Sequence, residues 1–341
     1  MISTLAGSMG MAVTDAAFWM PLLLMGMLFL LTLGGLLFDG FDVGVGLLLG
    51  VAPSAERARM MVILSPWRDA NEVWLILALG LFLAAFPLGW SAVLGHLYVP
   101  LTFTMLGTTL RSVAFEFRIR APAEQRVIWV RRFWVGSLLT AIGHGLLLAS
   151  VVTGYQQGND STWFSVFLAI CTVAAYALLG ACWLVMRLQG ELQQRAAGWA
   201  RHAIRWAAAG MVAVAVALGL ANPAIFYKWS NTTRLVLAMP VWLLMLACFV
   251  GMDIGLLRVT KPKYQMLAWM PFALCVLLFV LLLSGLAYSM FPFVILDNMT
   301  IWDAASAVGS LKLILLITFV AVPIMVLFNL MGYRSLFGRA P

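Results

Sequence analysis

Residues Val73 to Leu110 read VWLILALGLFLAAFPLGWSAVLGHLYVPLTFTMLGTTL, 38 positions without an Asp, Glu, Lys or Arg. One apolar helix crosses a bilayer in about 20 residues, so this stretch is long enough to cross twice. Pro87-Leu88-Gly89-Trp90-Ser91 lies where a turn can divide it. The segment therefore reads as a helical hairpin. Its apolar character is continuous, whereas a lipid-facing barrel strand alternates, and that decides for helices over a barrel.

The rest of the chain follows the same pattern. Of its 341 residues 64% are hydrophobic and 10% charged, with mean hydropathy +1.01. A soluble domain carries about 25% charged residues, so a water-soluble enzyme is excluded. Further uncharged runs predict nine transmembrane helices, over about 16-46, 70-88, 91-113, 133-156, 162-187, 203-224, 235-257, 265-289 and 309-333. The chain is expected to be one polytopic membrane domain spanning 1-341. No basic residue precedes the first run, which argues against a cleaved signal peptide with a charged start.

The basic residues test that count. With nine spans, one side receives Arg57, Arg59 and Arg68, six arginines from Arg111 to Arg132, four from Arg187 to Arg205, then Arg258, Lys261, Lys263, Arg334 and Arg339. The other side keeps only Lys228, Arg234 and Lys312. Counting the hairpin as one span weakens this 18-to-3 division to 15 to 6. The positive-inside rule thus favours nine helices, an outer N-terminus and a cytoplasmic C-terminus. The basic stretch Arg118 to Arg132 reads as a loop that fixes orientation at the anionic inner leaflet.

Cys171, Cys182, Cys248 and Cys275 lie in apolar runs without C-x-x-C spacing and read as buried small side chains. The histidines are only His96, His144 and His202. His144, between Gly143 and Gly145, could ligate a haem iron, but a lone membrane histidine is more often a hydrogen-bonded packing residue. Neither of the others supplies a second axial ligand at a recognisable spacing. No metal or haem site is expected on this chain.

Six of the 13 acids, Asp39, Asp42, Asp69, Glu72, Glu116 and Asp253, fall at the predicted cytoplasmic ends of helices. Asp39 and Asp42 are three apart, as are Asp69 and Glu72, so each pair shares a helix face. Chains of carboxylates near a membrane interior mark proton or ion paths, and burial lets a carboxyl exchange a proton near neutral pH. A plainer reading is that they pair with Arg68, Arg111 and Arg118 and finish helix ends; Arg68 and Glu72 have i,i+4 spacing. Gly40, Gly44 and Gly46 around the first pair read as a surface for close helix packing.

These motifs together resemble subunit II of the cytochrome bd-type quinol oxidases. Phe38-Asp39-Gly40-Phe41-Asp42-Val43-Gly44-Val45-Gly46 is similar to the end of that family's first helix. Asp69-Ala70-Asn71-Glu72-Val73-Trp74 and Ala84-Ala85-Phe86-Pro87 resemble its D-G-N-[QE]-V-W and A-A-[FW]-P signatures. Arg111-Ser112-Val113-Ala114-Phe115-Glu116-Phe117-Arg118 looks like its third-helix exit. Met290-Phe291-Pro292-Phe293 and Thr300-Ile301-Trp302-Asp303-Ala304-Ala305-Ser306 resemble the outer loop before its last helix.

The resemblance implies an all-α fold of two four-helix bundles plus a peripheral ninth helix, in a bacterial inner membrane. It also implies a heterodimer with a subunit I that carries b- and d-type, or only b-type, haems and the quinol site. Subunit II would bind no haem, while the complex oxidises quinol, reduces dioxygen to water and draws protons from the cytoplasm. A small single-helix subunit and a structural quinone or lipid are compatible with it. The family's D-G-N aspartate, at the mouth of a proton path, corresponds to Asp69, and Glu116 falls at the acidic position of the third-helix exit. Asp39 and Asp42 match the first-helix acids, as structural or proton-conducting groups, and Glu72 completes the set.

The chain departs from the family pattern at Arg68 for Trp, Ala70 for Gly and Ser112 for Gly. A cation beside Asp69 would favour its ionised form and weaken it as a transient proton carrier, unless Arg68 pairs mainly with Glu72. These departures also fit the branch described as cyanide-insensitive oxidases. The competing reading is a self-sufficient secondary transporter. Transporter sites sit near mid-membrane on broken helices, whereas these acids are expected at helix ends.

Overall fold

The computed structural model describes residues 2–337 except 65–67, 157, 222, 231 and 260. A short α1 (Ile2–Ser8) precedes α2 (Ala16–Leu48), α3 (Ser54–Ile63), α4 (Arg68–Ala85), α5 (Pro87–Arg120), α6 (Ala123–Val152) and α7 (Asn159–Arg187). Then come α8 (Glu191–Ala221), α9 (Pro223–Ser230), α10 (Thr232–Val259), a 3-10 turn (Pro262–Leu267) and α11 (Met270–Met290). A small hairpin of β1 (Phe293–Ile295) and β2 (Met299–Thr300) leads through α12 (Ile301–Ala304) to α13 (Val308–Phe337).

Among the described residues eight helices are long and apolar enough to cross a membrane, and a shorter apolar helix lies over Ala70–Ala85. This last is the first arm of the quoted hairpin. The division falls at Phe86, just ahead of the Pro87–Ser91 turn expected from the sequence and now the first turn of α5, because Pro87 has no N–H to extend α4 and its fixed φ suits a helix start. Elsewhere the helices outrun their apolar segments. The basic stretch Arg118 to Arg132 is helical except for a break at Ala121 and Pro122, and α8 begins at Glu191 rather than near 203. Hydropathy locates the part of a helix that must be apolar. Arg, Gln, Glu and Ala continue the helix into water at little cost.

The chain forms two compact units. The first comprises Met1–Asp39, Pro66–Gly95 and Met290–Pro341, and the second Gly40–Ser65 and His96–Ser289. In the first, the chain beyond the β-hairpin closes over the end of α4. The Ser306 N–H donates to Ala85 O at 2.9 Å and its hydroxyl to Ala84 O at 2.8 Å, satisfying carbonyls that a helix end leaves open. Trp302 stacks on Phe18 with ring centres 5.2 Å apart and donates its indole N–H to Phe18 O. A reciprocal capping box between Thr300 and Asp303 holds α12. Three of the quoted motif stretches thus meet in one place.

The second unit is built on close helix contacts. A Cβ at Gly44 would collide with the backbone of α7 at Tyr176 and Gly180, and one at Gly180 would collide with Gly44 and Val45. Small residues bring two backbones together where lipid offers no hydrophobic drive for association. Gly46 packs on Ser137, and Gly136 on the backbone of Arg111. All four cysteines are free and buried.

Gly44→Val is therefore expected to destabilise the protein by about 1–3 kcal/mol, the usual cost of overpacking. Gly26, where a Cβ meets nothing within 4 Å, is expected to accept alanine without loss. Thermal unfolding of both variants in detergent measures the difference.

Candidate functional site

Several polar residues of the sequence motifs are among the most buried of the described residues. Asp39, Asp42, Arg68, Asn71 and Arg111 are each no more than 2% exposed. Burial of a lone charge is prohibitive, and none of the five is without a partner. The helix α2 is continuous through Asp39 and Asp42, so the two acids do lie one turn apart on one face. Twenty-three residues separate Ala16 from Asp39, about 35 Å of helix. That exceeds the roughly 30 Å hydrocarbon core, so the segment ahead of the acids is by itself long enough to cross it.

In the first unit the beginning of α4 is ordered by an ion pair. Arg68 Nη1 lies 3.1 Å from Glu72 Oε1, with Glu72 14% exposed. The i,i+4 pairing read from the sequence is therefore made, and it engages the cation that departs from the family pattern. The side chain of Asp69 lies outside the described residues. Trp74 packs on Phe38 with ring centres 5.1 Å apart, and a Cβ at Gly34 would strike the Trp74 ring. From α13, Asn329 donates its amide to Ala70 O at 3.4 Å and to Met325 O at 3.1 Å. The sequence reading passed over Asn329, although an Asn inside an apolar span is itself a signal of an interhelical hydrogen bond.

In the second unit Asp42 and Arg111 are fully buried, whereas Glu116 is 51% exposed and 3.8 Å from the exposed Arg120. Glu116 thus pairs along its own helix and faces outward from this chain. Asp253 takes Arg201 at 2.9 Å, and Arg195 lies 3.7 Å from Glu56. Arg118 makes neither ion pair; its Nε is buried without an acceptor among the described residues. His144 Nδ1 is 2.7 Å from the Tyr176 hydroxyl, the packing role favoured for it in the sequence. Among the described residues no group of three His, Cys, Asp or Glu could hold a metal ion.

Chemically, the arrangement offers carboxylates and guanidinium groups near helix ends. Such groups can hold and pass protons, or lock helices together. A buried ion pair supports both uses, because breaking it leaves an uncompensated charge.

Comparisons with known proteins agree with the motifs. The family model for cytochrome bd terminal oxidase subunit II matches residues 20–336. The chain is 28% identical to the cytochrome bd-I ubiquinol oxidase subunit 2 of Escherichia coli (strain K12), covering 91% of this chain and 92% of that protein. It is 30% identical over 233 residues to the cytochrome bd ubiquinol oxidase subunit 2 of Bacillus subtilis (strain 168), covering 64% and 67%. Among solved structures it matches a chain of the bd oxidase from Geobacillus thermodenitrificans with TM-score 0.72, at 13% identity, over 94% of this chain and 99% of that one. The last of these bears on the fold.

Arg68→Ala is expected to cost up to about 3–5 kcal/mol by removing the cation from its buried ion pair with Glu72. Arg68→Met combined with Glu72→Leu is expected to regain most of that loss, and a double-mutant cycle on thermal unfolding measures the coupling.

Proposed function

Because the chain belongs to the cytochrome bd terminal oxidase subunit II family, we propose that it works as the haem-free membrane subunit of a quinol oxidase that reduces dioxygen to water. Its relatives carry the name of ubiquinol oxidase subunits, and the reaction they share is a quinol:oxygen oxidoreduction. The haems and the quinol site belong to the partner, subunit I. This chain stabilises that partner in the bacterial inner membrane. This reading keeps nine spans, with the N-terminus in the periplasm and the C-terminus in the cytoplasm.

The second part of the proposal concerns protons. Asp69 and Glu116 are assigned to proton uptake from the cytoplasm, together with Asp42, Asp39 and Glu72. The observation that carries this reading is the burial of charged groups around the ends of α2 and α4. The ion pair from Arg68 to Glu72 supports it further, since it engages the cation that the sequence sets beside Asp69. The half-exposed Glu116 suits a group that meets protons from water. Lining a path asks for carboxyls that exchange protons, and bracing a partner asks for buried ion pairs.

Purification in mild detergent is expected to bring down a haem-bearing subunit with quinol-dependent oxygen uptake; a haem-free chain without that partner would overturn the assignment. Asp69→Asn with Glu116→Gln is expected to slow oxygen consumption about tenfold or more while leaving the haem spectrum unchanged. Unaltered turnover across the pH range would make both acids structural.

A further inference from the structure

The second unit contains a cavity of about 430 Å³ between α8, α9, α10 and α11. An apolar cavity of about 150 Å³ already stays dry and takes up benzene, and this one is nearly three times larger. Among the described residues its wall is aliphatic and aromatic, with Ser289 as the one hydroxyl. That hydroxyl is engaged twice: it accepts from the Trp229 indole N–H at 2.9 Å and donates to Gly285 O at 2.7 Å. Water would find almost nothing to bond to here. A ligand ring that needs hydrogen bonds to its carbonyls would fare no better. A saturated hydrocarbon chain needs none.

One end of the cavity is marked by a cation. Lys228 precedes Trp229, a lining residue, and its ammonium lies 4.4 Å over the Tyr288 ring and donates to Tyr288 O, next to the lining Ser289. It is one of only three basic residues expected on its side of the membrane. Trp229 and Trp242, edge to face with centres 6.3 Å apart, both line the wall, and Trp is the residue that settles at headgroup depth. A cation and tryptophans beside an apolar cavity match an anionic head with a long tail.

We propose that this cavity holds one acyl chain of an anionic phospholipid whose phosphate lies at Lys228. Moving a chain from bulk lipid into an apolar cavity gains little, because lipid tails are as apolar as the wall. Selectivity therefore comes from the head. One cation near the surface is worth about a fivefold preference for an anionic lipid. The tail contributes place and shape, and it fills space that would otherwise cost packing.

Two glycines make the proposal testable without damaging the fold. A Cβ at Gly285 meets nothing within 4 Å, and one at Gly219 meets only Phe226 at ordinary contact distance; both residues line the cavity. The complete complex is placed in nanodiscs of phosphatidylethanolamine with a trace of phosphatidylglycerol bearing a tail diazirine, and irradiated. Label is expected on peptides of α8 and α11. Gly285→Leu and Gly219→Leu are expected to remove it with thermal stability unchanged, and Lys228→Gln to lower it about fivefold. Photoreactive phosphatidylcholine is expected to label weakly and to be indifferent to Lys228. Equal labelling by both probes, label that survives both plugging variants, or a cavity found by native mass spectrometry to retain quinone in place of phospholipid would each overturn the proposal. The readout does not depend on oxidase activity, so it stands or falls separately from the proposed function.

Discussion

In lipid, no water is at hand to repair an open backbone group or a bare charge, and each must be answered from within the protein. Most of this structure follows from that. Long helices answer the backbone internally. At the end of α4, Ser306 answers the carbonyls of Ala84 and Ala85 from far along the chain. At its beginning, Glu72 answers Arg68 and Asn329 answers the carbonyl of Ala70. Both ends of one short helix are thus held by partners that the helix itself could not supply, except for Glu72.

The same constraint shapes how charge can be used. A carboxyl or guanidinium kept in the bundle is costly, and replacing a buried pair with well-packed apolar residues is often neutral or stabilising. Stability alone therefore gives weak reason for Asp39, Asp42, Arg68 and Arg111 each to be buried. The proposed role in proton uptake would give a stronger one. Glu116 is half-exposed, whereas Asp42 is enclosed.

Much of this was legible in the sequence because lipid enforces simple rules. The break at Pro87, the glycine surface on α2, the pairing of Arg68 with Glu72 and the packing role of His144 all follow from local spacing or from one residue's chemistry. What spacing does not encode is contact across long separations. Nothing near Ala84 announces Ser306, and nothing near Ala70 announces Asn329. The helical extent of Arg118 to Arg132 was hidden for another reason: hydropathy is blind to helices once they leave the membrane, where polar helix formers read as loop. For Asp69 the motif gives a position and the pairing of Arg68 gives an electrostatic setting.

The stacking of Trp302 on Phe18 joins residues 284 positions apart, and the first unit is assembled from the two ends of the chain. During synthesis Gly95 is complete while Met290 is still roughly 200 residues away, an interval of about 10–40 s at ~5–20 residues per second. For that time α4 stands in the membrane with its last carbonyls uncapped and without α13 beside it. The early helices must be sheltered by the insertion machinery or by the waiting partner subunit, and the polypeptide locks only when its final span arrives. Truncation near the C-terminus would be felt first at residues made at the very beginning.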